Sequence, residues 1–307
     1  METSKFQDMF TTAKGEKRAS VTLNSLETLW FNTGTLCNLE CKNCYIESSP
    51  KNDRLSYLTV NDVLPYLEEI QAESLGTKLI GLTGGEPFLN PSIIQIISTI
   101  LTNGFDILIL TNANRVIKKH QNSLLALKNE YGDKLHIRIS LDHFSAELHD
   151  KERGHESFDR TIEQMKWLYD SGINISIASR SLKDEAPSES IDGHKKLLKS
   201  IGINLDLKNK LVVFPEMKSG RDVPEITTDC WNILDIKADD QMCASERMII
   251  KRKGESQAKV MPCTLLAYDE KFVLGENLKH AKKEVYLNHK FCAEFCVLGG
   301  ASCSGTK

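Results

Sequence analysis

Six short apolar segments, five of them followed by helical text, limit the folds open to this chain more than any other feature. The segments 28–32 (TLWFN), 78–83 (KLIGLT), 106–111 (DILILT), 136–141 (HIRISL), 173–178 (INISIA) and 210–214 (KLVVF) read as strands. Val60, Val63, Leu64, Leu67 and Ile70 mark the face of a first helix, opened by a capping-box pattern over 59–62. Asn90-Pro91 opens a second, with Pro91 expected at the first helical position and Ile93, Ile94, Ile97, Ile100 and Leu101 at helical spacing. Further helices are expected over 123–131, 158–171 and 188–200. Repeated β-then-α units imply parallel strands joined by right-handed crossovers. Near-continuous apolar strand text implies a sheet covered on both faces or curled on itself. Periodicity alone leaves a partial or full barrel and a doubly wound open sheet equally open. In either, chemistry belongs at the C-terminal ends of the strands.

Each strand end carries a motif. Cys37, Cys41 and Cys44 follow the first at C-x3-C-x2-C spacing. Clustered thiolates suit a soft metal centre, and three ligands where a closed site takes four leave a position for substrate or cofactor. A structural zinc loop or part of a disulfide framework would use the same residues. Gly84-Gly85-Glu86-Pro87 follows the second strand, Thr111-Asn112 ends the third, Ser140-Leu141-Asp142 the fourth, and Ser179-Arg180 the fifth. With 40% apolar and 26% charged residues the chain is an ordinary globular protein, and a net charge of -3 gives no reason to expect nucleic acid or an anionic membrane. No apolar run has signal-peptide or membrane-spanning length, so the cytoplasm is expected, where reduced thiols read as metal ligands before disulfides.

The pairing of C-x3-C-x2-C-aromatic with a GGEP turn resembles the radical S-adenosylmethionine (radical SAM) superfamily, over about residues 26–215. The resemblance implies an α/β fold, a partial (β/α)6 TIM-like barrel with a small cysteine-rich α+β extension. It implies a [4Fe–4S] cluster on Cys37, Cys41 and Cys44, with S-adenosylmethionine (SAM) chelating the open iron. Such enzymes cleave SAM reductively to a 5′-deoxyadenosyl radical, which takes hydrogen from the substrate. They draw the electron from a donor such as flavodoxin or ferredoxin. In that arrangement Tyr45 lies by the adenine. Gly84 and Gly85 let the backbone approach the methionyl group, and Glu86 accepts from its ammonium. Ser140 and Asp142 bind the ribose, Ser179 and Arg180 hold the carboxylate, and Asn112 joins the cofactor site. The stretch 149–158 (HDKERGHESF) is like a loop of the relatives, and Arg153 and Gly154 in it either shape the site or, the favoured reading, belong to a solvated charged loop. Glu216, after the sixth strand, is a candidate catalytic proton acceptor or substrate-binding group.

Beyond about residue 221 the rhythm weakens, and residues 222–307 carry six of the nine cysteines. Cys243 and Cys263 flank an expected hairpin (248–252 and 258–261), followed by Cys292, Cys296 and Cys303. This layout resembles the SPASM and Twitch extensions that hold auxiliary [4Fe–4S] clusters, the one-cluster Twitch type more closely. Cys243 and Cys263 are the expected ligands, with two of the other three; four of the set could instead hold structural zinc. Cys230 reads as a buried packing thiol. The expected organisation is a polar leader or cap over 1–25, the barrel over 26–221 and an auxiliary-cluster domain over 222–307. About 25 residues before the barrel leave little room for a leader-binding or cobalamin domain, and the final Gly-Thr-Lys differs from the Gly-Gly of molybdenum-cofactor cyclases. Oxidation or rearrangement of a small molecule is therefore the expected reaction. Peptide modification is the alternative, and a non-catalytic zinc-binding protein a third reading.

Overall fold

The computed structural model describes residues 4–181, 186–217 and 222–305. A short strand β1 (Ser20–Val21) precedes β2 (Thr28–Asn32), after which helices and strands alternate. They are α1 (Val60–Ala72), β3 (Leu79–Thr83), α2 (Ile93–Thr102), β4 (Asp106–Thr111), α3 (Gln121–Tyr131) and β5 (Leu135–Ser140). Then come α4 (Ala146–Arg153), α5 (Ser157–Asp170), β6 (Asn174–Arg180), α6 (Pro187–Ser200) and β7 (Leu211–Phe214). The tail adds β8 (Glu246–Ile250), β9 (Lys259–Met261) and β10 (Val285–Tyr286).

Strands β2 to β7 lie side by side in chain order, every neighbouring pair parallel. A doubly wound sheet reverses strand order at a switch point, and this one does not. The fold is α/β, a partial (β/α)6 TIM-like barrel with a cysteine-rich α+β tail. The expected hairpin forms as β8 and β9, and it continues the same sheet because β8 pairs in parallel with β2.

Side-chain alternation along the strands divides the barrel into two surfaces. Leu29, Phe31, Ile80, Leu82, Ile107, Ile109, Ile137 and Ile139 pack against the helices in one large core. Trp30 and Leu108, of the opposite parity, belong to a second core shared with the tail. At Gly81 of β3 a Cβ would stand 2.1 Å from the Trp30 ring, so a glycine makes room for the indole. The Trp30 Nε1 donates to Glu246 of β8 at 2.6 Å.

Three local expectations change. The capping box forms at Thr59 and Asp62, but α2 starts at Ile93 rather than Pro91. Asn90 Oδ1 accepts from the Ser92 backbone at 2.8 Å, which closes a turn that holds Pro91 ahead of the helix. The stretch 149–158 is not one loop: it is the end of α4, a stop at Gly154 with φ +102°, and the start of α5. The Asp150 carboxylate stitches that turn, accepting from the backbones of Glu156 and Phe158, each at 2.8 Å. The N-terminal segment adds more core than its polarity implied. Arg18 is fully buried and paired with Glu225 at 2.6 Å, Ala19 and Val21 are buried, and β1 pairs with β10. The expected boundary between 221 and 222 falls at the end of residues 218–221, which lie outside the described ones. No helix among the described residues is long and apolar enough to cross a membrane.

Candidate functional site

The cysteine loop leaves β2 and is fixed by the glycine turn that leaves β3. Gly85 N donates to Gly34 O at 2.8 Å and Glu86 N to Leu36 O at 3.1 Å. A Cβ on Gly85 would lie 2.2 Å from Leu36 O, and one on Gly84 (φ +137°) 2.4 Å from Gly34 O. The close approach these glycines permit is therefore to the cysteine loop itself. From the other side the end of α4 grips the residues between the cysteines. Lys42 N donates to Glu152 O at 2.9 Å, and Asn43 Nδ2 donates to the Glu152 carboxylate at 2.7 Å.

The three thiols line one cavity with Gly84 and Gly85. Cys37 Sγ faces Leu39 N at 3.4 Å and Asn112 Nδ2 at 3.7 Å, and Cys44 Sγ faces Ser48 N at 3.3 Å. Burial, and then the charge of Glu86, push the Cys37 thiol up to about 12, and burial raises Cys41. Without a bound cation the Cys37 and Cys41 thiols stay protonated; a metal centre would ionise them and use the N–H donors aimed at sulfur. Among the described residues no three His, Cys, Asp or Glu side chains crowd together as round a single ion. A [4Fe–4S] cluster gives each thiolate its own iron and a wider spread, and the donor set of three soft ligands fits it.

Of the expected cofactor residues, Tyr45, Gly84, Gly85, Asn112, Ser140 and Arg180 line this cavity. Tyr45 donates to Pro215 O at 3.0 Å and lies under the Arg180 guanidinium, 4.7 Å from the ring centre. Burial lifts its phenol to about 12 against the pull of Arg180. Glu86, Asp142 and Ser179 stand behind the lining. The Glu86 carboxylate accepts from Thr111 Oγ1 (2.8 Å), Asn112 N (2.9 Å) and Phe88 N (3.1 Å), and burial raises its pKa to about 7. A carboxylate has about four lone-pair sites, so one remains for an ammonium. Asp142 is occupied by cations rather than by an open lumen: Arg153 at 2.9 Å and Arg180 at 3.4 Å. Burial works against its ionisation, but the two arginines outweigh it and hold the carboxyl at about 2. Ser179 Oγ donates to Asp142 O at 3.0 Å, fixing the strand end. Glu216 is half-buried beyond β7 and lies outside the lining.

Arg153 is the principal residue that sequence reasoning undervalued. It ends a helix, its side chain is only 10% exposed, and it lines the cavity. Burial opposes its charge, yet Asp142 and Cys41 raise its pKa overall. The usable signal was Gly154 as a helix stop after a basic last turn. Phe214, Phe295, Thr264 and Leu265 complete the wall, and the last three come from the tail.

The tail cysteines separate into two groups. Cys243, Cys263, Cys292 and Cys296 line one apolar cavity with Met242, Leu266 and Phe291. Cys292 and Cys296 lie on a π-helical turn, Cys292–Val297. Burial raises all four thiols, Cys243 to about 11 and Cys292 to about 12. Four thiols facing one dry space are the donor set of a four-ligand centre. Cys303 instead lines the first cavity, 2.9 Å from Thr264 Oγ1. Cys230 is half-buried and faces Thr227 N at 3.4 Å.

Residues 31–182 match the Radical SAM superfamily. Over 143 residues the chain is 32% identical to the antilisterial bacteriocin subtilosin biosynthesis protein AlbA of Bacillus subtilis (strain 168), spanning 46% of this chain and 30% of AlbA. It is 30% identical over 148 residues to a probable GTP 3′,8-cyclase of Saccharolobus solfataricus, spanning 48% of this chain and 45% of that one. The chain thus spans half or less of the length of these two curated relatives. Among solved structures, Streptococcus suis SuiB bound to precursor peptide SuiA superposes with a TM-score of 0.61 at 16% identity, over 85% of this chain and 66% of SuiB. The structure of anSMEcpe with bound AdoMet gives 0.60 at 14% identity, over 83% and 76%. At those identities the likeness is one of fold. Residues 31–182 are a radical SAM domain.

Proposed function

We propose that this protein is an enzyme that reductively cleaves SAM in the cavity of Cys37, Cys41 and Cys44 and abstracts hydrogen from a peptide side chain. The observation that carries the reading is the convergence of those thiols with the glycine turn, Asn112, Ser140 and Arg180 on a single cavity. The [4Fe–4S] cluster and SAM used by this superfamily supply the electron transfer and the 5′-deoxyadenosyl radical. Cys37, Cys41 and Cys44 would hold the cluster, with Asn112 and the backbone amides of Leu39 and Ser48 directed at its sulfur ligands. Gly84, Gly85 and the spare lone pair of Glu86 would meet the methionyl end of SAM. Ser140 would reach the ribose and Tyr45 the adenine, while Arg180, backed by Asp142, would meet the carboxylate. Aromatic and aliphatic walls keep water from a radical. The four-cysteine cavity would hold an auxiliary cluster.

For the substrate, two features favour a peptide over a nucleotide. Phe214, Leu265 and Phe295 line the same cavity, a surface suited to an apolar side chain. Arg153 and Arg180, the only cations lining this described cavity, share Asp142, which leaves little charge for a triphosphate. The likeness to AlbA supports the same choice. A small molecule, the class expected from sequence alone, would use the same wall if its reacting part is apolar. The electron donor would be a flavodoxin or ferredoxin of the cytoplasm.

A fractionated anaerobic cell extract tests the choice. Added to reconstituted enzyme with SAM and dithionite, the peptide fraction should accelerate 5′-deoxyadenosine formation, and protease treatment of that fraction should abolish the effect. Acceleration by the protease-resistant metabolite fraction alone would overturn the peptide assignment.

A further inference from the structure

Cys303 is set apart from the other tail cysteines by a built support. Arg138, on β5, donates to Cys303 O at 2.7 Å and to Ser304 O at 2.9 Å. Ser302 and Ser304 donate to the buried Glu246 carboxylate at 2.9 and 2.6 Å. The thiol itself meets Thr264 Oγ1 at 2.9 Å and lines the cavity of Cys37, Cys41 and Cys44. Five polar contacts thus fix the turn that carries this sulfur to the cavity wall. That the cavity is made for a ligand shows in two other side chains on its wall. Ser48 is 4% exposed and Arg153 10%, and neither Ser48 Oγ nor Arg153 Nε has a hydrogen-bond partner.

We propose that Cys303 is a hydrogen-atom donor to the carbon radical formed in this cavity and is not a cluster ligand. The inference rests on the radical-generating reading above. An S–H bond is weaker than an aliphatic C–H bond, so transfer from the thiol to a carbon radical runs downhill. The S–H bond breaks homolytically, the substrate C–H bond forms, and a thiyl radical remains on Cys303. One electron from the ferredoxin- or flavodoxin-class donor, or from dithionite in vitro, and one proton from water restore the thiol. Thr264 directly follows Cys263 of the four-cysteine cavity, so an electron held there has a short route to Cys303. The substrate class that fits is a carbon centre that loses one hydrogen and receives another, with no net oxidation of the substrate.

The test needs no substrate, because the 5′-deoxyadenosyl radical formed without one meets the same thiol. Reconstituted protein, SAM and dithionite are incubated anaerobically in D2O, where Cys303 carries S–D. The 5′-deoxyadenosine from the native chain should contain one deuterium. Cys303→Ser keeps the Thr264 contact but offers an O–H bond too strong to yield hydrogen, and Cys303→Ala removes the group. Both should lose the deuterium from whatever 5′-deoxyadenosine they form, with iron per chain and the cluster EPR signals unchanged. Undeuterated product from the native chain, deuterium retained in the variants, or iron lost from them would overturn the proposal. A native chain that makes no 5′-deoxyadenosine would overturn the radical reading itself, and with it this inference.

Discussion

Asp142 allows two arginines to stand beside the cysteine loop. It is 2% exposed, and its ion pairs with Arg153 and Arg180 are buried beside the cavity. Replacing one partner of a buried pair leaves uncompensated charge, so Asp142→Asn should cost about 3–5 kcal/mol of stability in denaturant unfolding. An unchanged midpoint would contradict that role. The pH dependence has a definite sign. The folded-state value of about 2 lies below the ordinary 3.8, so this stabilisation is complete above the ordinary value and is lost as pH falls toward 2. The apo protein should therefore lose less stability on acidification through that window when Asp142 is Asn. Sequence reasoning identified Asp142 as a strand-end polar group and expected it to bind the ribose of SAM. Its partner Arg153 was assigned to a solvated loop, and a pairing of that kind depends on where a helix end lands. Cys37, Cys41, Cys44 and the glycine pair, which line one cavity, could be singled out in the sequence by residue type and spacing alone.

At the scale of elements, the site is a loop held between a turn and a helix end. The turn excludes any Cβ at Gly85, since the nearest atoms are backbone oxygens and carbons of Thr35 and Leu36. Gly85→Ala should destabilise the fold by about 1–3 kcal/mol, as overpacking does, and lower iron per chain after reconstitution. The helix end acts more locally. Glu152→Ala removes the acceptor for Asn43 Nδ2 but leaves Lys42 bonded to the residue 152 carbonyl. It should shift the melting temperature by only a few degrees, about 1 kcal/mol of hydrogen bonding, while the reconstituted cluster bleaches faster in air. Equal bleaching in Glu152→Ala and native protein would remove the helix end from the account. The strands themselves were legible to within two residues, because period-2 and period-3.6 patterns are strong in buried β/α units. Helix α4 was not, because five of its eight residues are charged and it shows little apolar face.

Across the whole molecule, the tail reaches the inward-facing residues of the barrel. Glu246 of β8 accepts from Trp30, Ser302 and Ser304, so one carboxylate joins the first parallel strand, the added strand and the chain's last described turn. Glu246→Ala strands a buried indole N–H and frees residues 301–305. It should cost about 2–3 kcal/mol and open Cys303 to alkylation, measured by anaerobic labelling and mass spectrometry. A cysteine count could not divide the tail set into four and one. That division depends on Arg138 and Glu246, residues 165 and 56 positions before their partners Cys303 and Ser302. The loop of Cys37, Cys41 and Cys44 is the proposed site of reductive SAM cleavage. Reconstituted protein given SAM under anaerobic conditions should form 5′-deoxyadenosine only with dithionite, and the Cys37→Ala, Cys41→Ala, Cys44→Ala triple variant should form none. Turnover of SAM without reductant, or 5′-deoxyadenosine from the triple variant, would contradict it.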